Sequence, residues 1–197
     1  YNKSNVWVPD NGYFAGLTVK TELERDAWFA PAGFNRGKIT GVIKAAWKQN
    51  NAIRDLLYKN QINPITNFRG EGLVLFGQKT LQAKPSAFDR LNVRRLFLTV
   101  ERAISRAARY QLFEMNNAQT QLIFKNMVEP FLRSVQAKQG ITEFAVICDD
   151  SNNTNQVKMN NEFVGTIAIK PVYVVEKIIL SFVNTPLGVS FDEIIGQ

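Results

Sequence analysis

The sequence predicts an α/β fold of the α+β kind, in which two long helices pack on a mixed sheet. Apolar residues recur with the helical period through most of residues 92–138, and the last third of the chain is rich in Val, Ile and Phe, which favour strands. An amphipathic helix and a sheet bury their apolar faces against each other. The 197 residues, 45% hydrophobic and 21% charged, are enough for one such domain.

The N-terminal quarter is expected to hold one short helix followed by a loop. Asp10 is a suitable N-cap for a helix over Gly12–Leu23, although two glycines and Thr18 lower the helix propensity of this segment. Residues 26–41 contain Pro31 and three glycines, which is typical of an ordered, turn-rich loop.

The next segment predicts a second helix and a short strand. Ile53, Leu56 and Leu57 share one face of a helix over Gln49–Asn60. Leu73–Phe76 is a short apolar run between two glycines, which indicates a buried strand.

The most regular helical pattern covers Asn92–Phe113. Asn92 is a suitable N-cap for this helix. Its apolar face is predicted to consist of Val93, Leu96, Phe97, Val100, Ile104 and Ala107.

The second long helix is predicted over Ala118–Lys138. Pro130 lies inside it and should kink it, and Gly140 should end it. Its inward residues are predicted to be Leu122, Met127, Phe131, Leu132 and Val135.

Three strands are predicted in the last third, over Phe144–Cys148, Phe163–Ile169 and Val172–Val183. Asp149–Asn161 is a polar loop dense in Asn and Asp, and Leu187–Ile195 is a short apolar arm. No internal repeat accompanies these elements.

The composition argues against several classes of enzyme. The chain has no histidine, which removes Ser-His-Asp and Cys-His catalysis and histidine-containing zinc sites. Its single cysteine, Cys148, cannot form a disulfide within the chain, fits a reducing compartment and lies in an apolar run where it is expected to be buried. No pair of carboxylates is brought together by helical or strand spacing.

The chain begins at Tyr1, from which we expect a fragment or a processed product, and neither a signal peptide nor a membrane-spanning run is expected.

Two segments resemble ligand-binding motifs only superficially. Gly33–Thr40 resembles a phosphate-binding loop, but it has three residues between its glycines instead of four, and Ile39 follows Lys38 where Ser or Thr is needed. Asp149–Asn155 is rich in oxygen ligands but lacks the glycine and glutamate of a calcium loop. A structural turn and an Asx-rich turn are therefore favoured, and no cofactor, metal or catalytic residue is predicted.

Four arginines form a stripe on the first long helix. Arg95, Arg102, Arg106 and Arg109 fall within about 60° of one another at 100° per residue, opposite the apolar face. Guanidinium groups suit bidentate binding of carboxylate or phosphate. With a net charge of +7, the stripe indicates either a solvated basic face or a docking surface for an acidic partner.

The chain resembles, along nearly its whole length, the C-terminal part of contractile bacteriophage tail sheath proteins, and it looks closest to the T-even group. The similarity lies in segments that occur in the same order as in that family. They are Tyr13–Gly16, Asp26–Gly33, Arg54–Tyr58, Ile62–Ile65, Gly72–Thr80, Asn92–Arg95, Phe113–Asn116, Ile169–Pro171, Glu176–Ile178 and Phe182–Phe191.

This resemblance implies a structural protein and not an enzyme. Residues 1–197 would be the conserved C-terminal, tube-facing domain of a longer sheath protein, with 184–197 as an arm. The sheet would be completed by strands from neighbouring subunits, and the sheath would polymerise around the tail tube and contract to drive the tube through the host envelope. The residues expected in the inter-subunit arm are Leu187, Val189, Phe191, Ile194 and Ile195.

The implied partners are further copies of the chain in a helical homo-oligomer, the tail tube protein, and the baseplate and tail terminator proteins. Neither nucleic acid nor a membrane is an expected partner. The sheath would be assembled in the host cytoplasm and would end in the virion tail, with the arginine stripe docking on the tube.

The alternatives are the sheath of a related pyocin-like or type VI system, and a basic nucleic-acid-binding module, which would need aromatic residues interleaved with the stripe.

Overall fold

The computed structural model describes residues 5–180. Three helices, α1 to α3, and two strands make up the first part. They are α1 (Asn11–Glu24), α2 (Asn51–Lys59), β1 (Ile65–Phe68), β2 (Gly72–Leu75) and α3 (Leu91–Ala108). The second part contains α4 (Ala118–Ala137), β3 (Ile141–Ile147), α5 (Asn155–Met159) and β4 (Thr166–Pro171). One-turn 3₁₀ helices precede and follow α3, at Ala87–Asp89 and Arg109–Gln111.

The predicted α+β class is confirmed, with a different arrangement of strands. Residues 5–180 form two separate two-stranded antiparallel sheets, β1–β2 and β3–β4, and not one mixed sheet. In β3–β4, Phe144 lies opposite Ile169 and Val146 opposite Ile167. One face of this hairpin therefore packs inward, while the other presents Glu143 and Lys170, which form an ion pair, to solvent.

The main core lies between α3, α4 and the β3–β4 hairpin. Leu96 and Val100 of α3 face α4, whose inward residues follow a spacing of three or four. Ile141, Val146 and Cys148 close the core from the hairpin side. The buried residues of α4 in this cluster are Phe124, Val128, Leu132 and Val135.

The inward face of α4 was predicted only in part. Leu132 and Val135 are buried and Met127 and Phe131 pack at the margin, as expected. The prediction that Leu122 faces inward is wrong, because this side chain is 51% exposed. Counting back from Leu132 in steps of four residues leads through Val128 to Phe124, so these three side chains share the inward face of the helix. Leu122 lies on the outward face. The helix continues through Pro130, which lies on its exposed side.

The start of α3 and the end of α4 differ from the prediction in detail. Asn92 is not the N-cap of α3; Arg90 occupies that position, and Asn92 is buried in the first turn. At the end of α4, Gln139 adopts the left-handed conformation, with φ of 62°. Gly140 serves another purpose, since a Cβ there would lie 2.7 Å from Cγ1 of Val135. This residue is a glycine because the neighbouring side chains leave no room.

The strand predicted over Val172–Val183 is wrong for the part that the structure describes. β4 ends at Pro171, and residues 172–180 have no regular secondary structure; 181–183 lie outside the described residues. The strand predicted from Phe163 begins only at Thr166. Phe163 instead packs edge-on against Phe124, with ring centroids 5.5 Å apart.

The smaller elements lie close to where the sequence places them. α1 extends the predicted range by one residue at each end, but Asp10 makes no side-chain capping bond. α2 is capped by Asn50, whose side chain accepts a hydrogen bond from the Ile53 amide at 2.8 Å. β2 starts one residue before the predicted strand and pairs with β1, which the sequence analysis missed. No helix within residues 5–180 has both the length and the apolar character needed to cross a membrane.

Candidate docking surface

Three arginines of the predicted stripe lie on the exposed side of α3 and of the 3₁₀ turn that follows it. Arg102, Arg106 and Arg109 are all exposed, and within residues 5–180 none of them forms an ion pair. Arg106 and Arg109 line a shallow depression whose floor is formed by Ala103 and Ala107. Small residues between the arginines leave the guanidinium groups accessible to an acidic surface.

Arg95, the fourth member of the stripe, has a partner within the chain. Its Nη2 lies 2.5 Å from Oε2 of Glu22 on α1, and only 14% of its side chain is exposed. Its other terminal nitrogen lies 3.5 Å from the backbone oxygen of Thr18. Arg95 is therefore held against α1, and the accessible part of the stripe consists of the other three arginines.

Several segments that carry the family resemblance meet at one junction. The side-chain amide of Asn63 donates to the backbone oxygen of Lys79 at 2.9 Å and accepts from the Lys79 amide at 2.7 Å. Gly77 approaches Asn63 so closely that a Cβ would lie 2.8 Å from its Oδ1. Lys79 also places its ammonium 4.1 Å from the centre of the Tyr58 ring and donates to the Tyr58 carbonyl. These motif residues hold α2, β1 and the chain before α3 together.

Glu176 is bound by this junction through both of its carboxylate oxygens. Arg90 Nε donates to Oε1 and the Tyr58 hydroxyl donates to Oε2, each at 2.7 Å, and Gln78 Nε2 donates to Oε1 at 3.3 Å. Burial opposes the charge of Glu176, but the hydrogen bonds from Arg90 and Tyr58 outweigh it and hold the carboxyl pKa below its ordinary value. Burial and the bond to Glu176 raise the pKa of the Tyr58 hydroxyl.

Residues 172–180 form an exposed apolar segment that continues from β4, and we call it the C-terminal segment. Its first amide, that of Val172, bonds to the Gly140 carbonyl at 3.2 Å. Beyond that bond, the contacts of Glu176 hold the segment against the junction. The side chains that remain exposed include Tyr173, Val175, Ile178, Ile179 and Leu180.

The β3–β4 hairpin offers two edges for further pairing. Each of its strands has one paired neighbour among residues 5–180, so the outer edge of each has no strand beside it there. Unpaired edges present backbone donors and acceptors that another extended chain can bind. The predicted arm residues Leu187, Val189, Phe191, Ile194 and Ile195 lie outside the described residues.

The phosphate-loop reading of Gly33–Thr40 is wrong, because its backbone is used by the fold. The amides of Gly33 and Ile39 donate to the β2 carbonyls of Leu75 and Leu73, each at 2.9 Å. A Cβ at Gly37 would lie 2.6 Å from the Leu75 oxygen. Amides already bonded to a strand cannot surround a phosphate, so this segment is a structural turn.

The Asx-rich segment is also a turn, with its oxygens bonded internally. Asp149 Oδ1 accepts from the amide and hydroxyl of Ser151, and Asp150 pairs with Lys158 at 2.7 Å. These partners hold the pKa of each carboxyl below its ordinary value. Asn153 is fully buried and bonds reciprocally to the backbone of Val164, each at 2.8 Å. Residues 5–180 contain no cluster of three or more potential metal-binding side chains.

Cys148 is buried, as predicted, and burial raises the pKa of its thiol. It packs with the core residues beneath the hairpin. A protonated thiol in an apolar setting behaves as a small hydrophobic group.

Glu176 and Asn153 were not predicted from the sequence as organising residues. Glu176 lies in one of the segments that carry the family resemblance, and so do two of its partners, Tyr58 and Gln78. Asn153 gave no signal in the sequence, because it stands among other Asn and Asp residues in a polar loop.

An accessible basic helix face, open sheet edges and an exposed apolar segment are the features of a protein that assembles with other proteins. Residues 83–185 match the family described as the phage tail sheath C-terminal domain. The chain is 46% identical over its full length to the tail sheath protein of Vibrio phage KVP40, and 45% identical to that of Enterobacteria phage T4. It covers 29% and 30% of those proteins, respectively. The chain belongs to the phage tail sheath family.

Solved structures share the same fold. The helical sheath of the anti-feeding prophage in its contracted state matches 94% of this chain and 53% of its own, with a TM-score of 0.84 and 25% identity. A chain in the baseplate structure of the anti-feeding prophage matches 90% of this chain and 51% of its own, with a TM-score of 0.81 and 25% identity. The chain therefore spans about half of these structures and under a third of the phage sheath proteins.

Proposed function

We propose that the full-length protein is the structural subunit of a contractile phage tail sheath. It polymerises around the tail tube by strand exchange between subunits and contracts to drive the tube through the host envelope. Membership of the sheath family supports this function most strongly, since the identity to two phage tail sheath proteins extends over the whole chain. The proposed partners are other copies of the chain, the baseplate, the tail tube and the tail terminator. Assembly takes place in the host cytoplasm, and the product is part of the virion tail.

The phage assignment is favoured over a related contractile injection system by sequence identity. Identity to the phage proteins is 46% and 45%, whereas identity to the anti-feeding prophage sheath is 25%. The fold is common to both groups and does not separate them. The basic helix also does not favour a nucleic-acid-binding role, since no aromatic residue is interleaved with its exposed arginines; the exposed Tyr110 and Phe113 both follow Arg109.

The β3–β4 hairpin and the C-terminal segment support strand exchange. The hairpin has unpaired outer edges within the described residues, and the C-terminal segment extends away from β4 with most of its apolar side chains exposed. An extended apolar chain gains backbone hydrogen bonds and side-chain burial by adding to such an edge in another subunit. Contacts of this head-to-tail kind continue into a helical filament. Residues 184–197 are proposed as the arm that is exchanged.

Deletion of residues 187–197 from the full-length protein tests the exchange. We expect the deletion to abolish striated tubes in negative-stain electron microscopy, while circular dichroism shows the protein still folded. The matched control replaces the same eleven positions with a Gly/Ser sequence of equal length, which should also fail to assemble. Normal sheaths from either variant would refute the arm proposal.

We further propose that the arginine stripe docks the domain on an acidic face of the tail tube. Arg102, Arg106 and Arg109 supply the accessible charge, and Arg95 supports the surface by holding α1 against α3 through Glu22. Each exposed charge pair contributes only about 0.2–1 kcal/mol. Repetition over a helical lattice gives a large total, while each single contact stays weak enough to break during contraction.

Charge reversal of two arginines tests the docking. In the full-length protein, Arg102→Glu with Arg106→Glu should prevent sheath formation on purified tubes with baseplates, and tube-free sheath should still form. Arg25→Glu with Arg69→Glu is the matched control, because it makes the same charge change on exposed residues that likewise form no ion pair within residues 5–180. Equal numbers of sheathed tails from all variants would show that the stripe is only solvated. Nucleic-acid binding in a gel shift would favour the other reading of the positive charge.

A further inference from the structure

We propose that the connection between α3 and α4 is an apolar knob that inserts into an acidic-rimmed recess on the tail tube subunit. The knob consists of Tyr110, Leu112, Phe113 and Met115. This inference rests on the proposed function, and it adds to the basic stripe a second, apolar half of the same docking surface.

The knob exposes more apolar surface than a connection of this length needs. Tyr110 is 80% exposed, Leu112 65%, Phe113 105% and Met115 77%. Four large apolar side chains are thus exposed within six residues, and exposed apolar patches mark interaction sites on soluble proteins. Tyr, Phe, Met and Arg are also the residue types enriched in protein interfaces.

Both ends of the knob are fixed by hydrogen bonds. At its start, the 3₁₀ turn Arg109–Gln111 continues α3, and the Leu112 amide bonds to the Arg109 carbonyl at 3.2 Å. At its end, Asn116 Nδ2 donates to the Glu162 carbonyl at 2.8 Å and its Oδ1 accepts from Gln121 at 3.1 Å. The exposed side chains therefore stand on an anchored backbone, which lowers the entropy lost on binding.

Phe113 has a backbone conformation that its own side chain disfavours. Its φ of 70° lies in the left-handed region, where a bulky residue is an outlier. The side chain is fully exposed, so no packing among residues 5–180 compensates for this strain. Strained residues persist at sites where the strained shape is used, and here the strain points a phenyl ring into solvent.

The charge around the knob selects the partner. Tyr110 lines the same surface depression as Arg106 and Arg109, so the knob and the basic stripe are continuous. Glu114 is the single acidic residue in the knob segment, and the whole chain carries a net charge of +7. A contact between two copies, symmetric or head-to-tail, would place this basic surface against another domain of net charge +7, whereas an acidic rim on a different protein would neutralise the arginines. We choose the tail tube subunit as this partner, because the proposed function has the sheath surrounding the tail tube.

The two halves of the surface should respond differently to salt. Ionic contacts of exposed arginines weaken as salt screens them. Burial of the knob removes apolar surface from water and does not depend on screening. The arginines would then govern the salt dependence of binding, and the knob would supply the part that remains at high salt.

The test measures cosedimentation of the full-length sheath protein with purified tail tubes at low and high salt. Phe113→Asn is the main variant, because Asn tolerates the left-handed backbone, and its midpoint of thermal unfolding should be no lower than that of the unmodified protein. We expect binding to weaken at least about tenfold at both salt concentrations, as for an aromatic hot spot. Leu112→Ser with Met115→Ser should act in the same direction. Leu81→Ser, at a residue 87% exposed elsewhere, is the control and should bind normally.

The remaining outcomes separate the knob from the stripe. Normal binding by Phe113→Asn, with weakened binding by Arg102→Glu and Arg106→Glu, would overturn the knob and leave the proposed docking in place. Normal binding by both sets would overturn the knob and the docking on the tube together. If Phe113→Asn instead prevents tube-free sheath, the knob contacts another sheath subunit or another part of its own chain, and the tube would be the wrong partner.

Discussion

At the residue scale, close packing explains where glycine is required. Gln139, and not Gly140, takes the left-handed turn after α4, so the usual reason for a terminal glycine does not apply here. Gly140 is confined by Val135 and by the indole of Trp28, whose Nε1 donates to the Lys138 carbonyl at 3.0 Å. The end of α4 is thus built around Trp28, a residue more than a hundred positions earlier in the chain.

Replacing Gly140 with Ala should destabilise the domain. The new Cβ would lie 2.7 Å from Cγ1 of Val135 and 3.0 Å from the Trp28 ring, which is overpacking with a cost of about 1–3 kcal/mol. Gly16→Ala is the control, because Gly16 is exposed in α1 with nothing near its missing Cβ, and this change should raise stability by up to about 1 kcal/mol. Urea unfolding of both variants measures the difference. A neutral Gly140→Ala would mean that the end of α4 can shift to make room.

Glu176 should make stability depend on pH in a defined direction. Its folded-state pKa lies below the ordinary 4.5, so the unfolded chain binds its proton first as pH falls. The stabilisation is complete above pH 4.5 and is lost as pH falls through the folded-state pKa. Glu176→Gln should therefore lower the free energy of unfolding at neutral pH by about 1 kcal/mol, and the difference should vanish in acid.

The control for this pH effect is Glu143→Gln. Glu143 also has a lowered pKa, caused by Lys170, but it lies fully exposed on the outer face of the hairpin. Its replacement should leave the unfolding midpoint nearly unchanged, because exposed ion pairs contribute little. The measurement is thermal unfolding of both variants at a series of pH values. A pH-independent difference for Glu176→Gln would show that the carboxylate charge does not hold the C-terminal segment.

At the element scale, α3 is a helix with three surfaces. Leu96 and Val100 face the core, Arg95 faces α1, and the three exposed arginines face outward. The helical period predicts the first and last of these surfaces, because they depend only on the angle around the axis. It cannot predict that α1 lies against Arg95, because that depends on where α1 packs. The outward position of Arg102, Arg106 and Arg109 was therefore predictable from the sequence, whereas the pairing of Arg95 with Glu22 became visible only in the structure. The docking role of the stripe stays a prediction.

The ion pair between α1 and α3 should be measurable by a double-mutant cycle. Arg95→Gln and Glu22→Gln should each lower stability, with a coupling free energy of about 0.5–1 kcal/mol because Arg95 is mostly buried and Glu22 half exposed. Arg102→Gln, on the same helix face but without a partner among residues 5–180, is the control and should be neutral. Unfolding in urea of the unmodified protein, the two single variants and the double variant gives the coupling free energy, and additive effects of the two changes would contradict the pairing.

The strands were harder to predict than the long helices. β1 spans only Ile65–Phe68 and contains Thr66 and Asn67, so it offers too few residues for an alternating pattern. Residues 172–180 have the composition of a strand but no partner among the described residues, and strand formation needs a partner as well as propensity. Helical periodicity is encoded locally in α3 and α4, which is why both starts and the end of α4 were predicted within one residue. The end of α3 was predicted wrongly, because the helix stops at Ala108 and not at Phe113.

At the scale of the whole molecule, the segments that carry the family resemblance are joined to one another in a single network of contacts. Thr80 and Leu91 bond to the backbone of Asp89 and Gln78, which joins β2 to the start of α3. Trp28 belongs to the core of α3, α4 and the hairpin, while the loop after it pairs with β2. Contacts such as that of Tyr58 with Glu176 join residues far apart in sequence. Sequence periodicity carries no information about contacts between distant residues. The order of the motifs could therefore be read from the sequence, but the contacts among them could not.

This network predicts that the described part of the chain unfolds as one cooperative unit. Leu132→Ala in the core should cost about 2–5 kcal/mol through a cavity, since Leu132 is fully buried. Asn63→Ala at the junction should cost about 1–3 kcal/mol by leaving the Lys79 amide without its partner. Each change should shift circular dichroism and tryptophan fluorescence by the same amount in one thermal transition, whereas Leu81→Ala should shift neither. If Asn63→Ala instead produced a separate early transition, α2 and β1–β2 would be an independent unit, and Trp28 and Arg90 would not couple that unit to the core.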